Sequence, residues 1–185
     1  MPESQKTIVV LAGLAGSLIN FRGHLLKEMV SRGYQVVACA PAAPESVKDA
    51  LSSIGVKFEP LPFDRTGLNP LRDIYTFWLL YKLFSKLKPQ VVFSYTIKPV
   101  IYGSLAAHLA GVCCSYSMIT GLGYVFMDGG IKRRVLAKAV CFLYRVSLRK
   151  NKRVFFQNID DMKLFLDLRL VRHQDQVVVV NGSGV

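Results

Sequence analysis

The stretch Thr7-Ile8-Val9-Val10-Leu11-Ala12-Gly13-Leu14-Ala15-Gly16-Ser17-Leu18-Ile19-Asn20 decides the fold. Its first six residues are β-branched or apolar with no alternation, so both faces of that strand must be buried. Two glycines three apart then break the run, and Phe21-Arg22-Gly23-His24 opens a helical pattern. A strand buried on both faces, a glycine turn and a helix are the first half of a βαβ unit.

Outward from that unit the same alternation repeats. Strands are expected over 7–12, 35–40, 57–61, 90–94, 112–118, 153–156 and 176–180. Helices are expected over 21–31, 44–53, 71–87, 99–109, 132–150 and 159–168. Arg32-Gly33 closes the first helix, Asn69-Pro70 opens the third, and Lys88-Pro89 ends it. The expected fold class is therefore α/β: a Rossmann-like, doubly wound, mainly parallel sheet of about seven strands with helices on both faces. The 185 residues suit one large domain, and no internal repeat or low-complexity linker divides them. With 51% hydrophobic and only 19% charged residues, a disordered chain is excluded. No strongly apolar run reaches the ~20 residues a spanning helix needs. The N-terminal Met1-Pro2-Glu3-Ser4-Gln5-Lys6-Thr7 has no cationic region ahead of an apolar one, so the expected compartment is the cytosol.

Charge is concentrated. The formal net charge of +12 lies wholly within residues 74–153, which hold thirteen Lys/Arg and one acid, Asp128; the remainder is balanced. Such a block meets an anionic partner: nucleic acid, a phosphorylated substrate or an acidic membrane surface. The helix at 71–87 is apolar nearly all round, with Trp78 among its aromatics, so part of it must face a partner surface or a second layer of core. In the helix at 132–150, Val135, Ala139, Phe142 and Val146 form one face and Arg134, Lys138, Arg145 and Arg149 another. Basic helices bearing aromatics, too short to span, suit docking on a membrane surface; a solvated basic face is the competing reading. Nucleic acid is the weaker partner, because the aromatics sit in a dense apolar helix rather than on a basic stacking platform.

Four post-strand loops should converge on one crevice. The first, Ala12 to Asn20, suits a phosphate or sugar at a helix N-terminus, or is a bare tight turn. Its G-x-x-G spacing is not the dinucleotide fingerprint, and the second strand ends Cys39-Ala40-Pro41, without the acid an NAD ribose needs. The second, Ser94-Tyr95-Thr96-Ile97-Lys98-Pro99, groups hydroxyls with an ammonium, fit for a phosphate or sugar hydroxyls; a surface lysine beside a buried tyrosine is the alternative. The third, Thr120-Gly121-Leu122-Gly123-Tyr124-Val125-Phe126, lets a ligand approach the backbone, or is a plain connection. The fourth, Gln157 to Asp161, reads best as a helix cap with acids in the first turn. His24, His108 and His173 are isolated, with His108 read as a packing residue. Cys39, Cys113, Cys114 and Cys141 are read as buried reduced thiols. No metal spacing and no nucleophile elbow occurs.

Several of these segments carry a resemblance. Phe21-Arg22-Gly23-His24-Leu25-Leu26 with Ser31-Arg32-Gly33-Tyr34-Gln35-Val36 resembles the first helix and second strand of GT-B glycosyltransferases of the large retaining family 4. Tyr95-Thr96-Ile97-Lys98-Pro99, Ile101-Tyr102-Gly103-Ser104-Leu105-Ala106-Ala107, Ile119-Thr120-Gly121-Leu122-Gly123-Tyr124 and Asn181-Gly182-Ser183-Gly184-Val185 narrow it. Together they are similar to the bacterial subgroup that extends capsule, O-antigen or N-glycan precursors on a polyprenyl-diphosphate carrier. The resemblance implies two Rossmann-like domains about a cleft, the N-terminal one binding the acceptor and the other most of the nucleotide sugar. Residues 1–185 would be the N-terminal half, without the nucleotide-sugar domain and inactive alone.

By matched motif, Gly13 and Gly16 would lie near the donor phosphates, and Asn20, Arg22, Tyr95, Lys98, Thr120 and Gly121 would line the acceptor side. Many members carry a histidine after the fifth strand; Ile119-Thr120-Gly121 stands there instead, so no catalytic residue is carried over. The resemblance implies no cofactor and no metal. Its partners would be a nucleotide sugar held through the domain beyond this chain, a lipid-linked glycan acceptor and an anionic membrane surface on the cytoplasmic side. Trp78, Arg134, Lys138, Arg145 and Arg149 would do the docking. The other reading is a non-catalytic sugar- or nucleotide-binding Rossmann module with a basic surface.

Overall fold

The computed structural model describes residues 6–64, 69–121 and 130–182, with the side chains of Lys132 and Arg133 excepted. Leu122–Phe126 of the third loop and Ser183–Val185 lie outside them. Seven strands form one wholly parallel sheet: β1 (Thr7–Leu11), β2 (Gln35–Ala40), β3 (Val56–Pro60), β4 (Val91–Tyr95), β5 (Cys114–Ile119), β6 (Arg153–Phe156) and β7 (Val177–Val179). Their spatial order is β3-β2-β1-β4-β5-β6-β7. The chain first winds outward from β1 to β3, then returns to β4 and winds the other way. The crevice of such a sheet opens between β1 and β4, where the direction reverses.

The helices are α1 (Gly16–Asn20), α2 (Gly23–Ser31), α3 (Glu45–Ser53), α4 (Pro70–Leu87), α5 (Ile97–Leu109), α6 (Ile131–Ser147) and α7 (Ile159–Asp167). The expected helix over 21–31 is a correction: the chain forms α1 first and restarts at Gly23. Phe21 N–H still bonds Ser17 O and Leu26 N–H bonds Arg22 O, but Arg22, at φ −127°, leaves the helical path between them. The remaining boundaries fall within three residues of expectation, and the helix at 132–150 ends in a tight turn, Leu148–Lys150.

Alternate residues of the continuous apolar strands feed two cores. Val10, Ala12, Val36, Ala38 and Phe93 pack with Leu18, Leu26 and Leu51 of the α1–α3 side. Val9, Leu11, Val37, Cys39 and Val92 face Leu80, Phe84, Ala106 and Ala107 of α4 and α5. Beyond β5, α6 and α7 close over Ile119, Val154 and Phe156, with Phe165 edge-on to both Tyr144 and Phe156. Gly103 is where α5 presses closest to the sheet: a Cβ there would run into Leu11 Cδ1. Under α5 a polar knot replaces apolar packing. Asn151 Nδ2 donates to Ser117 Oγ (2.6 Å) and Ser104 Oγ (3.2 Å), and Gln176 Nε2 donates to Asn151 O (2.8 Å).

The expected caps form. Asn69 Oδ1 accepts from Arg72 N–H with Pro70 at the first helical position, and Asn158 Oδ1 accepts from Asp161 N–H at 2.7 Å. Gly33 (φ +83°) and Lys88 (φ +45°) take the left-handed terminal positions. Two side-chain readings change. His108 is exposed in the last turn of α5. Cys113 is exposed and Cys114 and Cys141 are half-buried, leaving Cys39 as the buried thiol. In α6 the inward stripe is Leu136, Val140, Leu143 and Tyr144, continued by Leu148 of the turn after it, and the Val135–Phe142–Val146 stripe faces outward.

Candidate functional site

The C-terminal ends of five strands converge on a cleft of about 590 Å3. Gly13 and Leu14 follow β1, Phe63 and Asp64 follow β3, Tyr95 to Pro99 end β4 and begin α5, Thr120 follows β5, and Gln157 follows β6. Ser17, Phe21 and Arg22 complete the wall from α1 and the turn after it. The cleft thus takes in Gly13, Arg22, Tyr95, Lys98 and Thr120. Asn20, at the exposed end of α1, and Gly16 and Gly121 are not among the lining residues. Phe63, Asp64 and Gln157 were not singled out by sequence as ligand contacts. The segment after β3, Leu61-Pro62-Phe63-Asp64, is not among the four loops that the sequence marks for the crevice.

Tyr95 is the floor. It is 2% exposed, its hydroxyl lies 2.9 Å from Ser17 Oγ, and burial pushes its phenol up to about 12. Ser17 Oγ donates in turn to Leu14 O at 2.6 Å, tying the floor to the glycine turn. Over the ring lies the Arg22 guanidinium, 5.3 Å from the centroid. Arg22 donates to Phe21 O at 2.8 Å and to Met118 Sδ at 2.9 Å, and burial draws its pKa down from the usual arginine range. This is a largely desolvated cation held in a fixed orientation, the form in which arginine recognises phosphates and carboxylates best.

Lys98 is differently placed. Its ammonium is 2.7 Å from Asp73 Oδ1, and Tyr102 donates to Asp73 Oδ2 at 3.0 Å. Both partners of the ion pair are mostly shielded, with side chains 16% and 11% exposed. Asp73 lies in the first turn of α4, so the triad bolts the start of α4 to the start of α5. Burial, with Asp73 adding to it, pushes the Tyr102 phenol up. Much of the Lys98 charge is answered inside the protein.

Between them sits Thr96 at φ +69°, ψ +158°, costly for a β-branched residue and a sign of a site held in place by its surroundings. Its Oγ1 is buried and has no hydrogen-bond partner among the described residues. The next helix starts without a side-chain cap, and Pro99 lacks an N–H, so the amides of Ile97 and Lys98 head a helix that opens into the cleft. Gly13 leaves room for this arrangement: a Cβ there would lie 2.5 Å from Thr96 Oγ1. Chemically the cleft offers one oriented guanidinium, an open helix N-terminus and two aromatic rings, Phe21 and Phe63. Those are contacts for a phosphorylated or polyhydroxylated ligand. Among the described residues no group of three or more His, Cys, Asp or Glu is placed to hold a metal.

The sequence pattern of the family described as "Glycosyl transferase 4-like domain" matches residues 20–182. The chain belongs to this family. A curated Campylobacter jejuni protein, N,N'-diacetylbacillosaminyl-diphospho-undecaprenol alpha-1,3-N-acetylgalactosaminyltransferase, is 25% identical over 175 residues, covering 95% of this chain and 46% of that protein. The chain therefore spans about half the length of the curated relative it matches. Among solved structures, a Rickettsia africae glycosyltransferase superimposes with a TM-score of 0.65 at 14% identity, over 97% of this chain and 43% of that one. A UDP-GlcNAc 2-epimerase from Methanocaldococcus jannaschii gives 0.61 at 12%, over 96% and 46%. Likenesses this remote establish the fold alone, and they span transferase and epimerase chemistry. It is the family match that makes this a glycosyltransferase domain, with its cleft at the reversal of the sheet.

The outward surface of this glycosyltransferase domain is apolar and cationic at once. In α6, Ile131, Val135, Phe142 and Val146 are exposed beside exposed Arg134, Lys138 and Arg145, with exposed Arg149 in the turn that follows. In α4, Leu71, Ile74, Tyr75 and Trp78 are exposed, while Asp73, Thr76, Leu80 and Phe84 face inward. Trp78 is flanked by Tyr81, centroids 5.4 Å apart, and by the Lys82 ammonium at 5.3 Å. No helix among the described residues is long and apolar enough to cross a membrane.

Proposed function

We propose that this domain is the acceptor-binding half of a transferase that moves a sugar from a nucleotide sugar to a glycan on a polyprenyl-diphosphate carrier, at the cytoplasmic face of a membrane. The observation that carries this is the match, along 95% of the chain, to a relative whose name specifies an undecaprenyl-diphosphate acceptor. The cleft is of the right kind: a buried, oriented guanidinium beside an open helix N-terminus suits a phosphorylated acceptor. In this reading Arg22 and Tyr95, with Lys98, Thr120, Gly121 and Asn20 around them, hold the acceptor, and Gly13 and Gly16 face the donor phosphates. A further domain supplies the nucleotide-sugar contacts, retention of configuration follows the family resemblance, and residues 1–185 alone transfer no sugar. No bound metal or cofactor enters the scheme.

Docking rests on the two outward faces. The exposed apolar stripe of α6, bordered by Arg134 and Lys138, and the Leu71–Trp78 face of α4 form a surface suited to lying in a headgroup layer. Each engaged cation contributes about 1 kcal/mol near anionic lipid.

The test is transfer by the full-length protein to a polyprenyl-diphosphate-linked glycan. Arg22→Ala is expected to lower kcat/KM about 10- to 100-fold, the loss of a charge-assisted contact. Unchanged transfer would remove Arg22 from the acceptor site; no transfer to any lipid-linked glycan would favour the non-catalytic module. For docking, Arg134→Glu with Lys138→Glu is expected to weaken sedimentation with phosphatidylglycerol vesicles. Equal sedimentation with neutral and anionic vesicles would refute the membrane reading.

A further inference from the structure

The other end of the sheet carries a second concavity. Around the N-terminal ends of β6 and β7, the last turns of α6, the end of α7 and residues 169–174 enclose a cavity of about 610 Å3. A smaller one of about 300 Å3 adjoins it against the last turn of α5. Arg149, Arg172 and Val146 line both, so the two are lobes of one trough. Strands of three to six residues at about 3.3 Å per residue place it roughly 10–20 Å from the cleft.

What lines the trough is one-sided. Arg145, Arg149, Arg169 and Arg172 contribute guanidinium groups, Lys150 an ammonium, and His108 and His173 imidazoles; no carboxylate lines either lobe. Arg145 is committed to the wall. Its Nε and Nη2 donate to Arg169 O and Leu168 O at 3.1 and 2.9 Å, satisfying carbonyls at the end of α7. Arg149, Lys150, Arg169 and Arg172 form no ion pair with a carboxylate among the described residues. Concave surfaces of one sign focus their field outward and concentrate counter-ions.

Arg169 adds a second argument. It sits at φ +52° immediately after α7, where its N–H bonds Leu166 O and the next N–H, of Leu170, bonds Phe165 O. That is the left-handed closing position glycine normally fills, and another residue there costs stability. An arginine occupies it at that cost, and its side chain lines the trough. The floor, Leu166, Leu170 and Val171, is apolar, and Arg149, Arg169 and Arg172 are exposed around it.

We propose that this trough is a second anion site, for a phosphate- or diphosphate-bearing group, independent of the cleft. Arginine forks clustered without acids match phosphate oxygens in charge and in geometry. The ligand is either a soluble phosphate compound or the headgroup of an anionic lipid; the chemistry recognised is the same.

The test uses calorimetric titration with inorganic pyrophosphate and sedimentation with vesicles of phosphatidylglycerol in phosphatidylcholine. The variants are Arg169→Gly, Arg172→Ser and the pair. Arg169→Gly relieves the backbone and so keeps or raises Tm, which separates ligand loss from damage to the fold. Each substitution is expected to weaken binding about tenfold and the pair about a hundredfold. Loss of pyrophosphate binding with unchanged vesicle binding identifies a soluble ligand. Loss of vesicle binding, with pyrophosphate competing, identifies a headgroup. Equal binding by the parent and the pair in both assays overturns the proposal, as does pyrophosphate binding abolished by Arg22→Ala instead.

Discussion

The two ends of this sheet treat positive charge in opposite ways. At the C-terminal end, Lys98 meets Asp73 at 2.7 Å and Arg22 is stacked on Tyr95 and bonded to a carbonyl and a thioether. At the N-terminal end, Arg149, Arg169 and Arg172 crowd one trough with no acid in its walls. The first arrangement is built into the fold, because two helices and a strand depend on it. The second is superimposed on the fold and contributes little to it. Cations held by protein partners and cations left without them thus differ in their surroundings rather than in residue type, and Arg22, although held, still faces the cleft.

That contrast can be broken by substitution. The largest effect is expected at Asp73. Asp73→Ala strands the Lys98 ammonium and the Tyr102 hydroxyl in a mostly shielded site and should cost about 3 kcal/mol in urea unfolding. Adding Lys98→Met should recover most of it. A single-variant loss below about 0.5 kcal/mol would show the pair to be as loose as a surface one.

Next comes pH. The Tyr95 phenol, pushed from 10.0 up to about 12 by burial, holds its proton more tightly folded than unfolded. Its share of stability is complete below pH 10 and drains away between about pH 10 and 12. Burial also raises Tyr102 and Tyr144, so the alkaline decline is shared. Tyr95→Phe should make it shallower; an unaltered slope would count against a buried Tyr95 hydroxyl.

Gly13→Ala is expected to cost about 1–2 kcal/mol by driving its methyl into Thr96 Oγ1. Thr96→Gly in the same chain should restore stability by removing both the clash and the left-handed threonine. Smallest of all, Arg172→Ser in the trough should shift unfolding by no more than about 0.5 kcal/mol, in the stabilising direction at low salt. That gain should fade at 1 M salt, where charges more than about 3 Å apart are screened. Marked destabilisation instead would place Arg172 among the structural cations.

Much of the frame was legible in the sequence because its cause is local. Doubly buried strands such as Ile8-Val9-Val10-Leu11, the start signal Asn69-Pro70 and stop signals such as Gly33 and Lys88-Pro89 act within a few residues, and all seven strands lie where they were expected. The face of α6 was not legible. Its sequence carries two apolar stripes, Leu136–Val140–Leu143 and Val135–Phe142–Val146, and only the neighbouring β5, β6 and α7 select which turns inward. The Asp73–Lys98 pair spans 25 residues and two helices, so no local pattern announces it. The trough was equally hidden: its arginines come from segments on either side of β6 and meet only because α6 and α7 pack on the same face. Of the cleft, the glycine turn and the Tyr95–Lys98 loop were readable as loops that follow strands. Phe63 and Asp64 were not, since they reach the cleft only through the winding of β3 to the far edge of the sheet.

Cys39 gives the molecule an internal clock. It lies at 0% exposure on the inner strand β2, and burial pushes its thiol up, whereas Cys113 stands in solvent. An alkylating reagent therefore marks Cys113 at once and reaches Cys39 only when the layer between the sheet and α4–α5 comes apart. The interval between the two reactions reads how often that layer opens, and whether a ligand in the cleft or in the trough slows it.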